Sequence, residues 1–376
     1  MVKKGKKINC LFLLDNLGVG GSERKTIVAA NLLAKRGYQV HLAFLNLNYD
    51  IANTINPIIN IVNLQRKSKV DRNSLRIIKE YIEHNKIDVI WAVNLYPMLY
   101  AYLSTRNIKS IRVYGSSNVS VFRNIYERLK MLVYIPVIRR LNGFVFGSVN
   151  QMQEWMRKYP LGNGNYIVIH NGVDIEKFTK QGLFSKSSHA KKTLGLPEDS
   201  LVVGMVAQFR VEKAHPDLIE AVKRIMDAGN NISVVLVGDG GTQEEIKTIV
   251  KESGIEDRVV FSGMMEDVRP ALAAMDVFVL TSRAVETFSN AALEAMSMGL
   301  PVILSDLAGA REMVDEGING FTYPPGDVDS LVNCLAKLMD DRLRESMALN
   351  AKRIVEERFS SEHMADNYEK IINISN

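Results

Sequence analysis

Two carboxylates, Glu286 and Glu294, lie with seven residues between them in the stretch RAVETFSNAALEAMSMGLPVI (283–303). Such a pair invites an acid–base interpretation. Glu286 falls in a predicted loop after a strand (276–282), and Glu294 in the second turn of a helix predicted from about Ser289 to Ser297, which Gly299 ends. The helix is otherwise Ala, Leu and Met, so a carboxylate on it needs a polar partner, and the vicinal diol of a ribose is one. A solvent-exposed Glu294 is the alternative.

The start of this helix predicts a binding site for a phosphate group. Ser289 or Asn290 stands near its N-terminus, where backbone N–H groups and the helix dipole favour an anion. Two cations, Arg210 and Lys213, follow an earlier predicted strand (201–207) and precede a helix from about His215 or Pro216. Cations three residues apart at the end of a strand can both face one diphosphate and stabilise its developing charge. An ordinary solvated loop is the other interpretation.

A glycine-rich turn follows the first predicted strand, in LDNLGVGGSERK (14–25). Gly20 and Gly21 let the backbone approach a ligand closely, and the helix that opens at about Ser22 favours an anion. The third glycine of a dinucleotide fingerprint is replaced here by Glu23, which disfavours a pyrophosphate. A tight strand-to-helix turn without a ligand is the alternative.

The elements that must position these residues form a pattern that occurs twice. Short runs that are apolar on both faces alternate with helical segments, which predicts parallel sheets covered on both sides. A polar stretch (179–193) separates the two halves, so we expect two doubly wound α/β domains joined there. A final helix begins at Ser360 or Ser361. The predicted strands are 8–14, 39–45, 58–64, 87–93, 111–114, 143–148 and 165–170, then 201–207, 232–238, 258–263, 276–282, 300–306 and 320–323.

Composition favours a globular enzyme of two domains. The chain has 376 residues, of which 47% are hydrophobic and 24% charged. Its two cysteines, Cys10 and Cys334, form no disulfide framework or metal cluster and indicate a reducing compartment. No run is long enough to span a bilayer, and the basic opening lacks the cleavage site of a signal peptide. We therefore expect a cytoplasmic protein.

The net charge of +5 conceals an asymmetry between the halves. Residues 1–180 contain 27 Lys and Arg against 11 Asp and Glu, whereas the rest contains 20 against 31. A basic half suggests an anionic partner, such as a nucleic acid, phosphate groups or an anionic membrane. Interleaved aromatic RNA-recognition motifs are missing from the sequence, so we expect no nucleic acid.

Several segments, in order, resemble one family. They are GVGGSER (18–24), VIHNGVDIEKF (168–178), VAQFRVEKAHPDLIEA (206–221), LVGDGG (236–241), VVFSGMMEDV (259–268), the two-glutamate stretch and AGAREMVDEGINGF (308–321). Together they resemble glycosyltransferase family 4, the retaining enzymes of GT-B fold. The resemblance spans nearly the whole chain and is densest from 168 to 321.

The resemblance implies two Rossmann-like domains facing across a cleft. Residues 1–180, with a terminal crossover helix (360–376), would bind the acceptor, and residues 181–359 a nucleotide-sugar donor. It implies that Glu294 binds the ribose hydroxyls, that Glu286 contacts the donor sugar, and that Arg210 and Lys213 hold the diphosphate. Further donor contacts are expected from Gly20, Gly21, Phe288, Ser289, Asn290, and the base-bordering turn Gly263-Met264-Met265.

The sequence also departs from this family. Many members carry an arginine where Gln208 stands, so Arg210 is offset by two residues. Many have a histidine after the strand end near 116, where this chain has Ser116, Ser117 and Asn118. Ser116, Asn118, His170 and Asn171 are candidates for contacts on the acceptor side or for support of the residues that make them.

The family resemblance implies a retaining transfer in which the leaving phosphate takes the acceptor's proton. Fixed charges would then replace a metal ion, so we expect no metal or other cofactor. The single Asp-x-Asp, Asp327-Val-Asp329, precedes a predicted helix and is interpreted as its N-cap.

The expected function is therefore transfer of a hexose-type sugar, most simply from a UDP-sugar, to a lipid-linked or saccharide acceptor of a cell-surface polysaccharide or glycolipid. The basic half would contact an anionic membrane peripherally, and segment 123–141 either lies on the bilayer or faces the core. A nicotinamide-dependent dehydrogenase and a non-catalytic nucleotide-sugar binding protein are the alternatives.

Overall fold

The computed structural model describes residues 8–18, 20–46, 51–118, 125–180, 187–284 and 286–374. The chain divides into two compact units. One contains the residues up to Asn171 together with the chain from Ser361, and the other runs from Gly172 to Ser360.

Each unit is built on one parallel sheet. The first sheet has seven strands in the order β3-β2-β1-β4-β5-β6-β7, and the second has six in the order β10-β9-β8-β11-β12-β13. In both, the order reverses beside the first strand, as in doubly wound folds. The strands are β1 (Asn9–Leu14), β2 (Gln39–Phe44), β3 (Asn60–Asn63), β4 (Val89–Val93), β5 (Arg112–Ser116), β6 (Gly143–Phe146), β7 (Tyr166–Val168), β8 (Leu201–Val206), β9 (Ile232–Val237), β10 (Val259–Gly263), β11 (Val277–Leu280), β12 (Val302–Ser305) and β13 (Gly320–Tyr323).

Helices connect the strands and cover the sheets. They are α1 (Gly21–Lys35), α2 (Arg72–His84), α3 (Leu95–Thr105), α4 (Ile125–Ile138), α5 (Val149–Lys158), α6 (Ser187–Thr193), α7 (His215–Asp227), α8 (Gln243–Glu252), α9 (Arg269–Ala274), α10 (Asn290–Ser297), α11 (Ala310–Met313), α12 (Val328–Lys337), α13 (Asp341–Arg358) and α14 (Ser361–Ile372). No helix within the described ranges is both long and apolar enough to cross a membrane.

The first strand shows why the apolar runs form buried strands. Leu11 and Leu13 belong to one core cluster, whereas Cys10, Phe12 and Leu14 belong to another. Successive side chains of a strand point to opposite faces, so both faces of the sheet carry a core. Burial raises the pKa of the Cys10 thiol to about 12, and the residue acts as a small buried hydrophobe, as predicted.

All thirteen predicted strands are present, and the predicted α/β fold class with two Rossmann-like parallel sheets is confirmed. The polar stretch expected to join the domains (179–193) lies in the second unit, and its described end forms α6. There the buried Lys191 donates to the Asp276 carboxylate (2.8 Å) and to the carbonyl of Ser200 (2.9 Å). These polar contacts hold the helix in place, so hydropathy gives no signal for it.

The final helix, α14, packs on the first unit. Tyr368 meets the rings of Phe12 and Trp91 edge-on, and Arg112 donates to the carbonyls of Ile371, Ile372 and Ile374. The apolar contacts fix the face of the helix, and the Arg112 guanidinium satisfies the carbonyls at its end.

Candidate functional site

The centre of the candidate site is an ion pair between Lys213 and Glu286. The Lys213 ammonium lies 2.7 Å from Glu286 Oε2, and the Ser282 hydroxyl donates to the same oxygen at 3.3 Å. Both charged side chains are largely buried, with 19% and 17% of the side chain exposed. The structure therefore brings together two of the three predicted catalytic residues, although they lie 73 positions apart in the chain.

Sheet topology explains this meeting. Strands β8 and β11 are neighbours, so the loops that leave their carboxyl ends lie side by side, where parallel sheets bind ligands. The β8 loop contains a 3₁₀ turn, Val211–Lys213, and the β11 loop carries Glu286. Thr281 Oγ1 donates to the carbonyl of Lys213 at 2.8 Å, which joins the two loops directly.

A second charged pair, not foreseen from the sequence, clamps the same loops together. Arg283 donates from Nε and Nη2 to the two carboxylate oxygens of Asp217, at 2.9 and 2.6 Å, and its backbone N–H donates to the carbonyl of Glu212. Asp217 lies in the first turn of α7 and is buried. A bidentate pair of this kind fixes direction as well as distance, and a charged pair 66 positions apart leaves no local sequence signal.

Helix α10 starts where it was predicted to start. Ser289 is its N-cap and accepts from the N–H of Ala292 at 3.2 Å, and Gly299 follows with a φ of +69°. Glu294 is half-buried in the second turn. The ring of Phe288, a predicted donor contact, is buried against Phe359.

The other residues predicted for the donor differ in exposure. Arg210 extends outward with 59% of its side chain exposed and lies 3.7 Å from Glu212, so it does not join Lys213 in this conformation. At the end of β10, Gly263 has a φ of +69°, and Met264 is 61% exposed. An exposed methionine at a strand end is compatible with the predicted position beside a base.

Two glycines of the LVGDGG segment bring a further loop against this region. A Cβ on Gly238 would lie 2.0 Å from the carbonyl oxygen of Ala207, and one on Gly240 would lie 2.4 Å from that of Phe209. Only glycine permits this approach at φ values of +143° and +154°. The glycines therefore support the loop that carries Arg210 and Lys213.

His215, which begins α7, has a ring that is buried and stacked on Phe209 at 4.5 Å. Neither ring nitrogen has a hydrogen-bond partner among the described residues. Burial, reinforced by the Lys213 charge, lowers the pKa of His215 to about 4. The imidazole is therefore neutral near pH 7 and adds no positive charge to the site.

In the first unit, the glycine-rich turn is occupied by the chain's own carboxylate. A Cβ on Gly20 would lie 2.1 Å from Glu23 Oε2, which also accepts from the Ser22 hydroxyl at 2.6 Å. This negative charge lies at the start of α1, the place a pyrophosphate would take in a dinucleotide fold. The Glu23 charge therefore argues against the dehydrogenase alternative. If Gly20 and Gly21 contact the donor as predicted, the same charge favours contact with a hydroxyl over contact with a phosphate.

The acceptor-side candidates lie at the carboxyl edge of the first sheet. Lys25 Nζ donates to the carbonyl of Ile169 at 3.0 Å, which joins α1 to the loop holding His170 and Asn171. Burial lowers the pKa of Lys25 to about 8. Ser116 ends β5, and the N–H of Asn118 donates to Asn94 at 3.4 Å.

Across the described residues, no group of three His, Cys, Asp or Glu side chains is arranged to hold a metal ion. Asp327 is the N-cap of α12 and accepts from the N–H of Ser330, as predicted. Asp329 pairs with Arg224 at 2.7 Å, so each member of the Asp-x-Asp has a structural role.

Comparison with known proteins defines the class. Residues 19–177 match the model described as Glycosyltransferase Family 4, and residues 187–354 match that of Glycosyl transferases group 1. The crystal structure of Anabaena Alr3699/HepE in complex with UDP superposes with a TM-score of 0.86 at 22% identity, over 97% of this chain and 99% of that one. The fold is thus that of a GT-B glycosyltransferase, and the chain belongs to glycosyltransferase family 4.

Two curated relatives show how far the similarity extends. The UDP-Gal:alpha-D-GlcNAc-diphosphoundecaprenol alpha-1,3-galactosyltransferase of Escherichia coli is 35% identical over 198 residues, which is 51% of this chain and 50% of that protein. The N-acetyl-alpha-D-glucosaminyl L-malate synthase of Bacillus anthracis is 24% identical over 97% of this chain and 95% of its own length. The match to the first relative thus spans half of that protein, and the match to the second spans nearly all of it.

Proposed function

We propose that this chain is a retaining glycosyltransferase that moves a hexose-type sugar from a UDP-sugar to a lipid-linked or saccharide acceptor. The observation that carries the proposal is the buried Lys213–Glu286 pair beside the Ser289-capped start of α10. A cation, a carboxylate and a helix N-terminus at one sheet edge match the diphosphate and the hydroxyls of a nucleotide-sugar.

The donor choice is supported by a structural neighbour, the Anabaena protein, which was crystallised with UDP. Hydrolysis of UDP-, GDP- and ADP-sugars without acceptor tests it. We expect UDP-glucose, UDP-galactose or UDP-N-acetylglucosamine to be hydrolysed at least tenfold faster than the others. A preference for a GDP- or ADP-sugar contradicts the donor assignment, and hydrolysis of none contradicts the function itself.

In the proposed mechanism the acceptor hydroxyl attacks the anomeric carbon from the face that the diphosphate leaves. The bond from that carbon to the phosphate oxygen breaks, and this oxygen takes the acceptor's proton. Lys213 and the N-terminus of α10 stabilise the charge on the departing diphosphate, and Glu286 orients the sugar. Proton NMR of the product then shows the anomeric configuration of the donor, whereas an inverted product contradicts the mechanism.

We also propose that no metal is needed, because Lys213 and the helix N–H groups provide the positive charge. Activity in excess EDTA is expected to equal that of the untreated protein. Activity that disappears in EDTA and returns with Mg²⁺ or Mn²⁺ overturns this part of the proposal.

A cell-surface polysaccharide or glycolipid is the proposed product, in part because the Escherichia coli relative carries a diphosphoundecaprenol acceptor in its name. The chain would act in the cytoplasm, peripherally at an anionic membrane. Helix α4 supports this membrane contact, because Leu129, Leu132 and Val133 are exposed on it near Lys130. On its other side Met131, Tyr134 and Ile138 are buried. The helix thus has one face toward the core and one face at the surface.

Flotation with liposomes tests this contact. We expect co-flotation with vesicles that contain anionic lipid at low salt, and release at high salt, because surface charges are screened. Replacing Leu132 and Val133 with Ser should reduce co-flotation, whereas Leu349→Ser, at an exposed leucine of the second unit, should not. Absence of the wild-type chain from the floated fraction rejects membrane contact.

A further inference from the structure

Three side chains lie at the carboxyl edge of the first sheet, two in loops and one in the first turn of α3. Asp15 follows β1, Arg66 lies just beyond β3, and Tyr96 follows β4. In the sheet, β2 and β1 lie between β3 and β4, yet the Arg66 guanidinium lies 4.8 Å from the centre of the Tyr96 ring. Arg66 therefore extends across the ends of β2 and β1, beside Asp15.

The loops that carry these residues are fixed. The N–H of Arg66 donates to the carbonyl of Leu45 at 2.7 Å, and the N–H of Asn46 donates to that of Asp15 at 2.9 Å. Gln65 and Asn94, which precede Arg66 and Leu95, have φ values of +48° and +77°. A positive φ at a non-glycine residue costs energy, and such residues are concentrated at functional sites. Their presence here is therefore more typical of a binding site than of an ordinary turn.

Two of the charged groups have unused hydrogen-bonding capacity. Arg66 Nη1 is buried without a hydrogen-bond partner among the described residues. The half-buried Asp15 carboxylate is influenced by Arg66 and Glu23 at a distance, but no hydrogen bond from a described residue reaches it. A buried polar group without a partner is costly, so the buried Arg66 Nη1 near a half-buried carboxylate of opposite charge suggests a ligand that supplies the missing bonds.

The local charges restrict what this ligand is. The groups that face Asp15 are Arg66, Glu23 and the buried Tyr134, whose pKa is raised by burial and further by Tyr96 and Asp15. A phosphate would be attracted by Arg66 but repelled by Asp15 and Glu23. A hydroxyl can donate to the Asp15 carboxylate and accept from Arg66 at once, and neighbouring hydroxyls on a sugar ring match both groups.

We infer that Asp15 and Arg66 form the subsite that holds the acceptor's sugar ring through its hydroxyl groups. This rests on the proposed glycosyltransferase function and names the chemistry of its acceptor end. Asp15 accepts a hydrogen bond from one ring hydroxyl, and Arg66, held by Tyr96, donates to its neighbour. Both are binding residues, and neither takes part in bond breaking.

Two probes with the same sugar test the inference, namely methyl N-acetyl-α-D-glucosaminide and N-acetyl-α-D-glucosamine 1-phosphate. Binding is measured by saturation-transfer NMR titration with UDP present, which keeps the donor site filled. We expect both probes to bind the wild-type chain with similar affinity. Asp15→Asn and Arg66→Gln should weaken both about tenfold, the usual loss for one charge-assisted hydrogen bond.

Arg76→Gln and Glu80→Gln are matched controls, because these residues form an exposed ion pair on α2 of the same unit, and they should leave both affinities unchanged. The far-ultraviolet circular dichroism spectrum should be the same for every variant as for the wild type, which shows that the chain is folded. Failure of wild-type hydrolysis would contradict the proposed function instead.

Three results would overturn the subsite with hydrolysis intact. One is the absence of binding of either probe to the wild-type chain. Another is equal binding by wild type and both variants. The third is a phosphate probe that binds much more tightly than the methyl glycoside and loses this advantage only in Arg66→Gln, which would show an anion site.

Discussion

The Lys213 ammonium and the Glu286 carboxylate lie 2.7 Å apart, at the ends of two neighbouring parallel strands. Each residue is assigned to a different part of the donor, Lys213 to the diphosphate and Glu286 to the sugar. Their mutual contact neutralises two largely buried charges. A donor that binds here must therefore separate the two charged groups or take the place of one of them. In the proposed mechanism, the pair would set the relative position of the groups that hold the two sides of the bond to be broken.

Removing either charge from this pair should damage catalysis more than folding. Lys213→Met should lower kcat/KM by about 100-fold to 1,000-fold, the usual cost of losing one donor to a developing charge. Glu286→Gln should lower it by a similar factor. Steady-state kinetics with a UDP-sugar measures both. Lys352→Met removes one member of an exposed pair on α13 and should retain full activity; equal effects of Lys213→Met and this control would contradict the assignment.

The Asp217–Arg283 pair should act through position and not through contact with the donor. Asp217→Asn keeps the shape but weakens the bidentate bond, so the loop bearing Glu286 should lose its fixed place beside Lys213. We expect kcat/KM to fall about tenfold to 100-fold, since small misplacements are costly. Arg283→Lys should retain only part of the wild-type activity, because the lysine ammonium cannot reproduce the planar, two-pronged geometry of the guanidinium.

The control for this prediction is Asp329→Asn. Asp329 also pairs with an arginine, Arg224, but 80% of its side chain is exposed, and exposed pairs contribute little. Activity of Asp217→Asn equal to that of Asp329→Asn would show that the clamp is dispensable.

The fold could be predicted because its signal is periodic. Apolar runs are typical of strands in covered parallel sheets, and all thirteen strands were located from such runs, including the partly exposed edge strands β3 and β7. Helix caps such as Ser289 and Asp327 were also predictable, because a cap acts on an N–H only three residues away.

Parts of the site were not predictable, because their partners are distant in the chain. Arg283 and Asp217 look like ordinary surface charges until β8 and β11 are placed side by side. Asp15 and Arg66 likewise look ordinary in the sequence. Their unused hydrogen-bonding capacity can be recognised only when the burial of each side chain is known. The exposure of Arg210 and the burial of the Phe288 ring depend on side-chain directions, which motif spacing does not give.

Arg36 should help to hold helix α14 on the first unit. Its guanidinium contacts Glu362, Asp366 and Glu369 on successive turns of α14, and Tyr38 donates to Glu369 at 2.9 Å. Arg36→Gln should lower the free energy of unfolding by about 1–2 kcal/mol, since the pairs are partly exposed, and Tm by a few degrees. Thermal melts at low and high salt measure this.

The loss should shrink at high salt, because screening already weakens the wild-type contacts. Limited proteolysis should also cut Arg36→Gln faster near α14. The matched control is Arg76→Gln, which removes an arginine from an exposed pair and should change Tm by less than the Arg36 variant. A salt-independent loss would indicate that packing, not charge, holds the helix.

Asp15 should make the folded chain less stable as pH rises. Burial, opposed by Arg66 and reinforced by Glu23, raises the pKa of Asp15 from 3.8 to about 6. The folded state then holds this proton more tightly than the unfolded chain, so its contribution to stability is complete below about pH 4 and is lost as pH rises through 6. Asp15→Asn, which stays neutral, should therefore be more stable than wild type at pH 7 and should lose that advantage near pH 4.

Urea unfolding of both chains between pH 4 and pH 8 measures the difference. Glu80→Gln removes an exposed carboxylate of α2 and should track the wild-type curve. The same titration should affect function in the opposite direction, because the ionised Asp15 accepts a hydrogen bond from a hydroxyl more strongly than the protonated acid does. Acceptor KM should rise as pH falls below 6 while UDP-sugar hydrolysis without acceptor does not follow the same profile. An Asp15→Asn stability difference that is constant across this range would show that the carboxylate is not the titrating group.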